Sequence, residues 1–583
     1  MELYLDHVLI SAQDNEWGQA LSSSLPNLRE LGLSNCNLSG PIDSSLQHLQ
    51  SLSFIDLSLN NFSAPVPEFF ADFKNLTFLN FFLCELNGKF PEKIFQVPTL
   101  QMLDLSSNSR LEGSLPEFLP NGSLQTMMLS YTNFSGSLPP SIGNLKMLST
   151  LSLRRCNFNG SIPSSIMSLT QLAFLELSYN NFSGSIPSSI ASLTQLVRLD
   201  LSSNNFSGSI PGSIMSLTQL AFLELSYNNF SGSIPSSIAS LTQLVRLDLS
   251  SNNFSGPIPN FGMFKNLTSL WLDNNHLSGQ INSTQWEELL NLDALDLGGN
   301  SLNGSIPISL FSLPSLQALY LSHNQFSGSL DLSVIQKLKI LSDLDLSYNN
   351  LLIEFNGFNI SLISFPQFEH LGLASCKLKV FPDFLRNQSS LSILDLSNNQ
   401  IYGEIPASIG QSLATTRFLS LSSNKLYGSI PRSICNATHL QLLDLSNNSL
   451  NGAIPRWLIE MSGSLKVLNL RTNNLIGTIP DAFPDYCVID VASNNFTGNL
   501  PIILLLNSMA MVNRSLEALS RPSYLETYVG GGYGITNMSM TFFSRSSLDC
   551  ILEKNTIKGA DIEIRGQGTS PSYAAQYLQV YHY

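Results

Sequence analysis

Eleven acidic residues recur at a spacing near 24 residues or a multiple of it: Asp56, Asp104, Glu176, Asp200, Glu224, Asp248, Asp296, Asp345, Asp395, Asp444 and Asp490. Acids on neighbouring strands of a parallel sheet lie ~5 Å apart, a separation found in glycoside-cleaving carboxylate pairs. That reaction needs two carboxyls in unlike surroundings, one of them protonated. These acids repeat in like surroundings, so the plainer reading is a stripe that is solvated or bonded at the sheet edge. Cysteine offers less. Cys36, Cys84, Cys156 and Cys376 occupy one repeat position, where a small buried side chain serves structure; Cys435, Cys487 and Cys550 are scattered, and no C-x-x-C or C-x-x-H cluster exists. His7, His48, His276, His323, His370, His439 and His582 form no ligand set. No G-x-S-x-G elbow, H-E-x-x-H helix, phosphate loop or kinase signature is present. The Gly530–Gly534 run reads as a loop. The expectation is a protein that is not an enzyme, with no metal and no cofactor.

Composition narrows the class further. Lys plus Arg is 28 and Asp plus Glu is 42, a net charge of −14, which argues against nucleic acid as a partner. Charged residues are only 12% while 43% are hydrophobic, so the chain can build a core rather than stay disordered. The acidic start, Met-Glu-Leu-Tyr-Leu-Asp-His, does not read as a signal peptide. No run of 18 apolar residues encodes a membrane helix.

The elements that must carry these residues follow from self-similarity. The unit is L-x-x-L-x-L-x-x-N-x-F/L-x-G-x-I-P, clear in Leu196 to Pro211. Its Asn-type position recurs twenty times, from Cys36 to Asn494, with a mean period of about 24 residues, inside the leucine-rich-repeat range. Residues 160–207 match 208–255 everywhere except Ser164 against Gly212. L-x-L predicts a short strand with Leu inward and x outward. Asn predicts an inner ladder satisfying backbone groups at the bend. Gly predicts the following turn, and Pro the start of a convex segment of 3₁₀ or helical turns. The fold expected is an α/β repeat, a right-handed leucine-rich-repeat solenoid with a parallel concave β-sheet. Residues 1–25 read as a partial N-terminal cap region, 26–501 as the solenoid and 502–583 as a non-repeat tail.

Twenty N-x-[ST] sequons point to the secretory route; the candidates for glycosylation are Asn75, Asn121, Asn181, Asn205, Asn229, Asn253, Asn266 and Asn436. The G-x-I-P extension resembles the plant extracellular class of leucine-rich repeats. Leu3-Tyr-Leu-Asp6, Glu16-Trp-Gly18, Leu21 to Leu28, Pro91 to Gln96 and Asn121 to Leu124 resemble the Verticillium-wilt-resistance type of plant receptor-like proteins. That resemblance covers residues 1–500. It implies a plasma-membrane defence receptor without a kinase, working through partner receptor kinases. Against the family's pattern the chain lacks the cysteine-paired cap, the last repeats and the membrane helix, and so reads as a fragment, a truncated product or a mis-spliced one. A secreted inhibitor of microbial wall-degrading enzymes, or a functionless remnant, is the alternative.

The ligand site is expected on the outward columns of the concave sheet, across repeats five to thirteen. Its anchors are Phe174, Arg198, Phe222 and Arg246 in one column, Tyr179 and Tyr227 in another, and Trp271, which with Tyr320 replaces the usual acid in a third. Aromatic and Arg side chains are the commonest anchors of interfaces. The competing reading is that duplication copied one ordinary pair of rungs. The partner expected is a secreted microbial protein or peptide, neutral or of mixed charge.

Overall fold

The structure, a computed structural model, describes residues 1–10, 16–281, 286–355, 365–461, 464–480 and 488–499. It also describes the backbone of the strands Tyr524–Gly531, Gly534–Thr541 and Thr556–Lys558. The chain divides into two compact units, 1–376 and 377–583. Cys487, Cys550, Asn282, Asn359 and Asn513 lie outside the described residues.

In the first unit each repeat contributes a three-residue strand. Phe174–Glu176 pairs in parallel with Arg198–Asp200, which pairs with Phe222–Glu224 and then Arg246–Asp248, always without slip. The sheet extends from Glu2–Tyr4, which adds a strand ahead of the first repeat, to His370–Gly372. The second unit repeats the pattern from Ile393–Asp395 to Val488–Asp490. Register follows from the alternation: Leu175, Leu199 and Leu223 point inward and are fully buried, and a one-residue slip would expose every one of them.

The Asn ladder forms as expected. Asn204 Nδ2 donates to the carbonyls of Leu177, Leu201 and Ser202 at 2.9, 3.2 and 3.0 Å, and its Oδ1 accepts the Phe182 N–H at 2.9 Å. Asn180 and Asn228 repeat this on either side, so each amide ties its own bend to that of the preceding repeat. One feature of the bend differs from expectation. The residue just before the Asn, expected on an outward column of the sheet, lies beyond the strand in the left-handed region, as in Tyr179 (φ 55), Ser203 (φ 53) and Tyr227 (φ 53). That reversal lets the Asn side chain turn inward immediately after the sheet.

The N-F-S-G segment forms a second parallel sheet, which the pattern alone did not disclose. Among the described residues it has 12 strands in the first unit, from Asn87–Lys89 to Asn350–Glu354. In the second it has 6, the last being Thr556–Lys558. Beneath it Phe158, Phe182, Phe206, Phe230 and Phe254 stack face to face at 6.1–6.3 Å, fully buried. Gly184, Gly208 and Gly232 then take φ of +85, +83 and +83, where an L side chain is strained. Pro opens the convex turn, and 3₁₀ segments such as Ser164–Ser168 and Ser188–Ser192 follow it.

Candidate functional site

The outward columns are built by the strand pleat: each rung presents one residue before and one after its central Leu. In the duplicated rungs the first column reads Phe174, Arg198, Phe222, Arg246 and the second Glu176, Asp200, Glu224, Asp248. The arginines engage these acids. Arg198 Nε lies 3.0 Å from Glu176 Oε1, an ion pair without hydrogen-bond alignment, and its Nη2 is 2.6 Å from Glu224 Oε2. Arg246 Nη1 is 3.5 Å from the other oxygen of Glu224. Each guanidinium also covers a ring, Arg198 over Phe222 at 5.4 Å and Arg246 over Trp271 at 5.0 Å. The expected anchors therefore sit together on one face as an internally paired charge ladder. Phe174, Tyr179 and Tyr227 remain the exposed aromatic members, at 42%, 47% and 58%.

Tyr179 and Tyr227 stand in the left-handed bend rather than on a strand. Arg155 lies between two such rings, 5.6 Å from Tyr131 and 5.9 Å from Tyr179, and Arg154 covers Tyr179 at 5.1 Å.

The acidic stripe differs from expectation in two respects. It is not generally solvated: Asp200 and Asp444 are 2% and 3% exposed. The bonding half of the expectation does hold. The carboxylate accepts the N–H two residues on, as in Asp200 to Ser202 (3.0 Å), Asp248 to Ser250 (3.0 Å) and Asp345 to Ser347 (2.9 Å), which starts the bend. The surroundings are also unlike. Glu224 has two guanidinium neighbours, whereas no Lys, Arg or His among the described residues pairs with Asp273, Asp293, Asp296, Asp343 or Asp345. Burial, then the charge of Asp248, pushes the Asp273 carboxyl up to about 7. Burial, then Asp273, holds Asp296 well above the usual carboxylate range. Of these acids, Asp296 and Asp345 lie in one line with Asp248 on one face of the sheet.

Next to the duplicated rungs the second column alternates strictly: Asp248, Trp271, Asp296, Tyr320, Asp345. Beside it the first column narrows to Ser269, Ala294 and Ala318, all nearly fully buried, and then to Asp343. Tyr320 donates its hydroxyl to Asp343 Oδ1 at 3.1 Å. Asp273 and Asp343 escaped the sequence reading, and His370 entered it only as one of seven scattered histidines; the available signal was their departure from the Ser, Ala or Phe/Arg usage of their columns.

Asn75, Asn121, Asn181, Asn205, Asn229, Asn253, Asn266 and Asn436 are all exposed; Asn253 Nδ2 donates to Asn229 Oδ1. Among the described residues no helix is long and apolar enough to cross a membrane, and no group of His, Cys, Asp or Glu is placed to hold a metal ion.

Comparison with known proteins agrees with this architecture. One leucine-rich-repeat family model matches residues 194–254 and 265–326. A second matches 27–49, 123–145, 147–169, 171–193, 315–338, 390–412, 415–437, 439–461 and 464–486. Receptor-like protein 49 of Arabidopsis thaliana is 43% identical over 24% of this chain and 19% of its own length. Receptor-like protein 18 of the same plant is 33% identical over 24% of this chain and 18% of its own. The aligned stretches thus span about a fifth of each relative. Among solved structures, the plant peptide hormone receptor RGFR1 in complex with RGF2 superposes with a TM-score of 0.63 at 29% identity, covering 84% of this chain and 82% of that one. The Arabidopsis receptor kinase HAESA, solved with the peptide hormone IDA and the co-receptor SERK1, gives 0.61 at 29% identity, covering 83% and 76%. The chain belongs to the leucine-rich-repeat family and is related to the plant receptor-like proteins.

Proposed function

We propose that this chain is the ligand-binding ectodomain of a cell-surface receptor-like protein in plant defence signalling, facing outward at the plasma membrane and lacking a kinase of its own. Its ligand is a secreted microbial protein or peptide, and it signals through a partner receptor kinase. The division into cap region 1–25, solenoid 26–501 and tail 502–583 belongs to the same proposal, as does glycosylation at the exposed sequons. The observation that carries the reading is the patch of exposed Phe174, Tyr179 and Tyr227 beside the paired Arg198, Phe222, Arg246 and Trp271. Rigid aromatics there offer large contact area for few rotamers lost. Support comes from relatives named receptor-like proteins and from a neighbour solved with both a peptide and a co-receptor.

The test is to express the chain on leaf cells, fused to a leader and a membrane helix, and to challenge it with fungal culture filtrate. An oxidative burst that disappears in the Phe222→Ala/Tyr227→Ala variant supports the reading. No burst, or one unchanged in that variant, refutes it.

A further inference from the structure

The column Asp248, Trp271, Asp296, Tyr320, Asp345 alternates acid and aromatic over five successive rungs. Four features of its setting point to a cationic occupant. First, Asp296 and Asp345 pair with no cation among the described residues, although Glu176, Asp200 and Glu224 of the duplicated rungs are paired. Asp273, Asp293 and Asp343 add three more carboxylates at its margins. Second, one ring of the column already holds a guanidinium, Arg246 over Trp271, so this face of the sheet accepts cations on aromatic surfaces. Third, the flanking Ser269, Ala294 and Ala318 carry no cation of their own to neutralise the acids.

The fourth feature is His370. Its register places it two rungs beyond Ala318 and Tyr320. Its ring nevertheless lies 5.8 Å from that of Tyr320, so it leans back into the column. It is 5% exposed, and among the described residues its Nδ1 has no hydrogen-bond partner. A buried polar atom without a partner is costly, and here it belongs to a ring set against Tyr320 near the end of the acid–aromatic line.

Spacing then identifies the occupant. Like residues recur every two rungs, ~9.6 Å apart at ~4.8 Å per rung. A polyproline II chain repeats its face every three residues, ~9.3 Å at ~3.1 Å each. An extended β-strand returns to the same face every two residues, ~6.7 Å, and drifts out of step at once. The interior strands here have their backbone groups engaged by neighbouring rungs, and a polyproline II peptide, whose own backbone stays hydrated, demands none of them.

We propose that this column binds a basic peptide in polyproline II conformation, with Lys or Arg at every third residue. The proposal rests on the reading of the concave face as a ligand surface, and deepens it by naming the ligand's charge, conformation and spacing.

The test uses the full 583-residue chain and fluorescein-labelled peptides read by polarisation. The probe is (Pro-Pro-Lys)5. The controls are (Pro-Pro-Glu)5 and a block peptide, ten Pro followed by five Lys, which carries the same charge without the spacing. The expected result is that (Pro-Pro-Lys)5 binds at least tenfold more tightly than either control. Asp296→Asn/Asp345→Asn should weaken it at least tenfold; Asn keeps the Oδ1 that starts each bend, so folding is preserved and circular dichroism checks it. Glu117→Gln, an exposed acid elsewhere, should change nothing. Equal binding of the block peptide, unchanged binding by the double variant, or no binding of the probe overturns the proposal. The receptor reading is judged separately, by the leaf-cell burst and its Phe222→Ala/Tyr227→Ala variant.

Discussion

At the scale of the residue, the Asn position shows how little of a side chain the repeat requires. Cys84 Sγ donates to the Leu57 carbonyl at 3.0 Å and Cys156 Sγ to Leu129 at 3.1 Å, each taking the bond that Asn Nδ2 makes to the preceding repeat. The thiol sulfur is only a weak acceptor, and at Cys84 the backbone supplies the acceptor instead: Phe62 N–H bonds the Cys84 carbonyl at 3.1 Å. Asn204→Ala therefore should cost ~1–3 kcal/mol, the range for buried polar groups left unpaired, and Asn204→Cys clearly less; urea denaturation of the two variants decides, and equal midpoints would defeat this account. Asp273 supplies a second residue-scale expectation. Its carboxyl is raised from 3.8 to about 7, so the folded chain holds a proton that the unfolded chain releases. The associated stability is full below pH 3.8 and is lost as pH rises through 7. The groups facing it are Asp248, Asp296 and Asn274. In the pH 5–8 range, Asp273→Asn should flatten the fall in melting temperature with rising pH; an identical slope in parent and variant would show that Asp273 does not titrate there.

At the scale of the element, burial sorts the two faces of each three-residue strand. Leu199 is fully buried and Phe174 is 42% exposed. Leu199→Ala should cost ~2–5 kcal/mol and Phe174→Ala well under half of that, compared by thermal melting. The strands, the inward Leu residues, the Asn ladder and the Pro-led 3₁₀ turns were all legible in the sequence, because each is a local pattern repeated about twenty times. The second sheet was not. N-F-S-G has no alternation to mark it, and its pairing, such as Ser207 with Asn229, exists only once the first sheet has set the rung spacing. The left-handed residue before each Asn was hidden for another reason: Tyr, Arg, Ser and His all occupy it, so composition does not reveal it. For the candidate site, the columns were legible but their electrostatics were not. Phe174 and Phe222 have the same local sequence, yet only Phe222 lies under Arg198, because Arg198 spans Glu176 and Glu224 and leans toward the second copy. Asymmetry between identical repeats arises from the neighbours at the ends of the duplication, which a single-repeat consensus omits.

At the scale of the whole molecule, the array tolerates whole-unit changes because each repeat contacts only its neighbours. That makes the duplication removable. Deleting residues 208–255 joins Ser207 to Gly256 and keeps every repeat in register. The new junction sets Arg198 and Asp200 against Ser269 and Trp271, where Arg246 and Asp248 now stand, and Val197 to Ser207 repeats the sequence of Val245 to Ser255. Arg198 should then cover Trp271, and Asp200 should begin the acid–aromatic line that continues to Asp345. The deleted chain should fold, with circular dichroism per residue unchanged and little change in melting temperature. Its two candidate surfaces should separate. The paired ladder loses Phe222, Glu224, Tyr227 and Arg246, while the acid–aromatic column keeps all five of its positions. Binding of (Pro-Pro-Lys)5 should survive the deletion within about threefold, roughly half of the 1.4 kcal/mol that a tenfold change represents. A large loss of binding in a normally folded deletion would place recognition of the basic peptide on the deleted rungs instead, with Glu224 and Tyr227 as its contacts.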